Sequence, residues 1–158
     1  MANSEQLIKA KADMVAYAVT LLTKEIAQEF EKDSPEVRGL GMDAKDAFYS
    51  LLVYTNLFHA EQFFSEQIEN SIECKNFIHQ LESHFNVESE NPKKFLNWIR
   101  KVENPLRYFG SEGAKIINKR DDALLSMSLT NIYTSFLLYG FLNGLKRAWS
   151  VVSDYPNI

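Results

Sequence analysis

Between Ala123 and Leu145 the chain runs for 23 residues without a charged side chain, and between Ala47 and Phe58 for another 12. Long charge-free runs that are also rich in Leu, Phe and Tyr must be covered by something, so these two stretches constrain the fold more than any other feature. In the first run Phe48, Leu51, Leu52, Tyr54, Leu57 and Phe58 surround a helical axis instead of lining one stripe, the pattern of a helix buried on most sides. In the second, about 20 apolar residues would suffice to span a bilayer. Seven hydroxyl or amide side chains, from Ser126 to Asn143, fall within it, which suits the central helix of a bundle better than lipid.

Around these runs the punctuation is sparse. Six glycines and four prolines in 158 residues leave long intervals of three- and four-residue apolar spacing, so the expected fold is all-α. A first helix is expected from about Glu5 to Lys32, a loop over Ser34 to Asp43, and a second helix from about Asp43 to Asn70, with Asp43 as its cap. A third helical stretch carries Ile72, Phe77, Leu81 and Phe85. Asn91 and Pro92 resemble an N-cap and first helical residue, Pro105 ends that fourth helix, and Gly110 and Gly113 mark a looser stretch. The last helix extends to about Val152. The expectation is one domain over residues 1–158, a bundle of five or six helices in which the second and the last are central.

Composition excludes several functions. The formal net charge of −4 gives no general attraction to nucleic acid or anionic lipid. The single cysteine, Cys74, forms no internal disulfide, and the opening residues show no secretory signal, so the cytoplasm is the expected address. The residues three before His59, His79 and His84 are Asn56, Asn76 and Leu81, so the Glu-x-x-His pairs of a di-iron bundle are missing. Neither the Walker A loop, nor the dinucleotide fingerprint, nor H-E-x-x-H is present. No metal ligand set and no cofactor are expected, and no catalytic kit is visible.

Two constellations remain. Residues 61–90 hold seven glutamates against one lysine, whereas residues 91–120 hold eight Lys or Arg against two glutamates. Within the basic segment Lys93, Lys94, Trp98, Arg100, Lys101, Arg107 and Tyr108 interleave cations with aromatic rings, a composition suited to an acidic protein partner and less to nucleic acid or anionic lipid. The reading is a small cytoplasmic interaction module of regulatory, adaptor or immunity type, with a homodimer as a further option. The alternative rests on Thr55, His59, Gln62 and Glu66, four polar side chains on one face of an apolar helix. An imidazole with a carboxylate nearby can serve as base, sensor or part of a metal site, which makes a ligand- or metal-binding bundle, or an enzyme, the second reading.

Overall fold

A computed structural model describes residues 3–156, and among them there is no strand. Helix α1 (Ser4–Asp33) opens with a capping box: Gln6 N–H donates to Asn3 Oδ1 at 2.9 Å, and Asn3 N–H donates to Gln6 Oε1 at 3.0 Å. Ser34 ends it and caps α2 (Pro35–Arg38), a single turn inside the expected loop, with Pro35 in the first turn where a missing N–H costs nothing. Helix α3 (Met42–Gln67) starts from Gly41, so Asp43 lies inside its first turn and is not its cap. Asn70 breaks the chain there. Its side chain accepts from the N–H groups of Ile72 and Glu73, both at 3.0 Å, and starts α4 (Ser71–Glu82).

The basic segment folds differently from its sequence signals. Helix α5 (Glu90–Ile99) begins two residues early, from Ser89, which puts Pro92 third in the helix, where its missing N–H is still one without an intrahelical partner. It ends at Arg100. Pro105 then starts a further helix, α6 (Pro105–Asn118), capped by Asn104, instead of ending the previous one. The stretch expected to be loose is therefore helical, and its glycines serve packing. A Cβ at Gly110 would collide with Thr130 Oγ1 and the Ser126 carbonyl, and one at Gly113 would come within 2.9 Å of Leu129. These glycines let α6 lie hard against α7 (Ala123–Phe136), which Asp122 caps by accepting from Leu125 N–H at 3.1 Å. A π-helical turn (Leu137–Phe141) carries α7 directly into α8 (Leu142–Val152). With that rod counted once there are seven helices among the described residues, not five or six. The two additions are α2 and α6.

Helix α3 is central as expected, in contact with α1, α4, α5, α6 and α8. Phe30, Phe48, Phe109 and Tyr133 join α1, α3, α6 and α7 through ring contacts of 5.2, 6.0 and 4.5 Å. A buried polar chain crosses the same region: Tyr133 Oη donates to Asn56 Oδ1 (2.6 Å), Asn56 Nδ2 donates to Thr23 Oγ1 (2.9 Å), and Thr23 donates to the Val19 carbonyl (2.7 Å). Every hydroxyl in it is used, which is the condition for keeping polar groups in a core. The last helix departs from expectation. Only one side of α7 is buried, through Leu125, Leu129 and Tyr133, while Leu124 and Tyr139 on the outer side of the rod are 81% and 79% exposed. Gly144 meets Leu22 of α1 within the chain, but the nearest atoms to Gly140 belong to Phe136 of its own rod. No helix among the described residues is long and apolar enough to cross a membrane.

Candidate functional site

Helix α5 buries Leu96 and Ile99, half-buries Phe95, and leaves Lys93, Lys94, Asn97 and Trp98 outside. Where its Phe95 side meets the first turns of α6, the two helices enclose an open groove of about 510 Å³. Phe95 and Tyr108 form its floor, stacked with centroids 5.6 Å apart and planes 27° from parallel. Trp98 stands at the edge, 60% exposed, between Lys94 and Lys101, and Glu112 closes the α6 side. Burial, and secondarily the Glu112 carboxylate, push the Tyr108 hydroxyl up to about 12, so it remains a donor at neutral pH.

Four of the seven basic and aromatic residues singled out from sequence thus share one groove: Lys94, Trp98, Lys101 and Tyr108. Lys93 and Arg107 are exposed on the same two helices but do not line it. Lys94 reaches Glu90 at 2.9 Å and Lys93 reaches Glu88 at 3.9 Å, exposed pairs that hold their lysines only weakly. Lys101 makes no ion pair among the described residues. A large exposed aromatic ring between two available ammonium groups, over an ordered aromatic floor, is suited to gripping an apolar side chain flanked by carboxylates.

Arg100 faces elsewhere. One residue before Lys101, it lies 100° round the helical axis and points at α3 and α4. Its Nη2 donates to Glu61 Oε2 at 3.0 Å and to Glu82 Oε1 at 3.1 Å. Glu61, 8% exposed and with Oε1 unpartnered among the described residues, projects from the apolar α3, and burial followed by the neighbouring Glu82 raises its carboxyl to about 8. In the sequence Glu61 stands out only as charge in an acidic segment. The available signal was Glu61's place one turn from Leu57 and Phe58, on a helix with no exposed side over that stretch.

The polar stripe on α3 does not converge. Thr55 is buried and its hydroxyl donates to the Leu51 carbonyl at 2.7 Å, whereas Gln62 and Glu66 are exposed in the cleft beside Glu61 and Arg100. His59 packs against the rings of Phe58 (5.0 Å) and Tyr133 (5.8 Å); its Nε2 is buried without a partner among the described residues, and burial lowers its pKa to about 4. Among the described residues no three His, Cys, Asp or Glu side chains gather into a metal ligand set. Comparison with known protein families, with curated proteins and with solved structures finds no match to this chain.

Proposed function

We propose that the protein is a small interaction module, of regulatory, adaptor or immunity type and cytoplasmic, that binds an acidic segment of another protein in the α5–α6 groove. One observation supports this above the rest: Trp98 is left exposed between Lys94 and Lys101 although the same helix buries Leu96 and Ile99 completely. Exposed tryptophan is expensive in water and typical of binding hot spots. The cations on either side select for negative charge and speed encounter, while the ring and the Phe95–Tyr108 floor supply contact area.

A display library of random peptides tests this directly. Selection on the protein should enrich sequences with an aromatic or branched aliphatic residue flanked by Asp or Glu, and binding should weaken with salt. Trp98→Ala should abolish it, and Lys94→Glu with Lys101→Glu should reverse the charge preference, with the thermal melt unchanged in each. Enrichment of peptides without acidic residues, or binding indifferent to Trp98→Ala, would refute the proposal.

The ligand-binding alternative has one observation in its favour, the unpartnered His59 Nε2 and Glu61 Oε1. The two atoms belong to separate environments, an aromatic pocket beside Tyr133 and a carboxylate–guanidinium cleft, and so define no single ligand.

A further inference from the structure

Helix α1 and the rod formed by α7 and the π turn enclose a second open cleft, of about 550 Å³, that shares no lining residue with the Trp98 groove. Its rod side is uncharged and aromatic, with Phe136 half-buried in it and Tyr139 largely exposed beside it. Its α1 side carries Glu29 and Asp33, four residues apart and therefore neighbours on one helical face. Both are exposed, and neither pairs with a cation among the described residues. Glu31, between them in sequence, by contrast reaches Lys45 at 3.4 Å. Gly140 adds an independent observation. Glycine is a poor helix former, and at Gly110, Gly113 and Gly144 it makes room for another helix. At Gly140 it does not: the three nearest atoms all belong to the Phe136 ring, two of them 3.1 Å from where a Cβ would stand. What glycine provides there is an uncrowded aromatic ring at the cleft.

We infer that this cleft takes an arginine side chain from a basic segment of another protein, its guanidinium held by Glu29 and Asp33 and packed against the rings of Phe136 and Tyr139. Charge complementarity fixes the sign of the occupant. Two unpaired carboxylates beside a neutral wall attract a cation and repel an acidic peptide, a nucleic acid or an anionic lipid. The rings select guanidinium over ammonium, because a planar, weakly hydrated cation stacks on an aromatic side chain while its N–H groups still donate to carboxylates. The exposed Asn131 amide and Ser135 hydroxyl line the same cleft and are placed to bond the backbone of the segment. Beyond the cleft the same helical face continues through Met127 and Leu124, both largely exposed, which gives the apolar neighbours of that arginine a surface to cover. The inference does not rest on the α5–α6 groove, whose lysines demand the opposite charge.

Panning a display library of random peptides on the Trp98→Ala chain, in which the α5–α6 groove is disabled, tests the assignment. Selection should enrich arginine beside Leu, Met or an aromatic residue, and binding should weaken with salt. Replacing the arginine of a selected peptide by lysine should weaken it. Glu29→Lys combined with Asp33→Lys should lower its affinity by about tenfold or more, and Tyr139→Ala should lower it as well. Circular dichroism should be unchanged in these variants, because all three side chains are exposed. In an NMR titration the peptide should shift the backbone amides of Gly140 and Ser135 and leave those of Lys94 and Lys101 in place. No enrichment above background, enrichment of peptides that lack arginine, an affinity indifferent to the double charge reversal, or shifts confined to α5 would each overturn the inference.

Discussion

Arg100→Ala separates the cation that holds the fold from those that line the groove. The guanidinium ties the end of α5 to Glu61 on α3 and Glu82 on α4, at 3.0 and 3.1 Å. Removing it leaves two carboxyl groups facing each other, one of them nearly dry. Breaking a fully buried ion pair costs about 3–5 kcal/mol, but the Arg100 side chain is 40% exposed, so the expected loss at pH 8 is smaller, about 2 kcal/mol. In a chain of this length that lowers the melting temperature by roughly 4–8 °C. The loss depends on pH. The Glu61 carboxyl has a folded pKa raised to about 8 against 4.5 for a free side chain, so its neutral form is favoured in the fold. The stability this provides is complete below about pH 4.5 and disappears as pH rises through 8. Without Arg100 the ionised form loses its cation, so the variant should fall further behind wild type as pH rises and come within about 0.5 kcal/mol of it at pH 5, where the Glu61 carboxyl is protonated. Urea unfolding followed by circular dichroism at pH 5 and 8 measures both values. An equal loss at the two pH values, or a loss no greater than that of Lys101→Ala, would show that the clamp does not hold the helices.

Gly110→Ala should destabilise by roughly 1–3 kcal/mol in thermal melts even though alanine favours a helix, because the new methyl meets Thr130 Oγ1 and the Ser126 carbonyl, one of which is backbone. Gly41→Ala, with nothing within 4 Å of the added methyl, should cost less, about 0.5 kcal/mol, through the poorer N-cap alone. Tyr133→Phe should cost about 1–3 kcal/mol in urea unfolding by leaving Asn56 Oδ1 buried and unpaired, while Thr23 and Asn56 keep their own bond. His59, held to a pKa of about 4 by burial, should show no imidazole titration by NMR between pH 5.5 and 8; a midpoint near 6.5 would mean that water reaches its ring.

The central position of α3 was legible because Phe, Leu and Tyr surround its axis, and no arrangement other than burial accommodates that. The charge-free run of the last helix looks equivalent as a sequence and is not. Thr130 and Thr134 satisfy their hydroxyls on carbonyls one turn back within the same helix, each at 2.7 Å, and Asn131 and Ser135 face water without needing charge. Absence of charge therefore does not distinguish a buried helix from a neutral exposed one. Gly110 and Gly113 were illegible for another reason. Glycine signals a turn and a close helix crossing with the same letter, and only the position of Ser126 and Thr130 decides between them. The groove was half legible: interleaved Lys, Trp and Tyr gave the segment, but excluding Arg100 from it required knowing that α3 and α4 present carboxylates on the other side.

Helix α6 ties the groove to the core. Its Tyr108 and Glu112 line the groove with α5, while its Gly110 and Gly113 press against α7. Whatever pushes α6 away from α7 therefore also moves the Tyr108 side of the groove. A methyl at Gly110 does this, because it meets Thr130 Oγ1 and the Ser126 carbonyl, whereas one at Gly41 meets nothing within 4 Å and lies outside the groove. Gly110→Ala should accordingly weaken the binding of an acidic peptide that Gly41→Ala leaves unchanged. Calorimetric titration of the peptide into both variants, at a temperature where each is folded, measures the difference. Equal affinities would show that the groove does not depend on how closely α6 packs against α7.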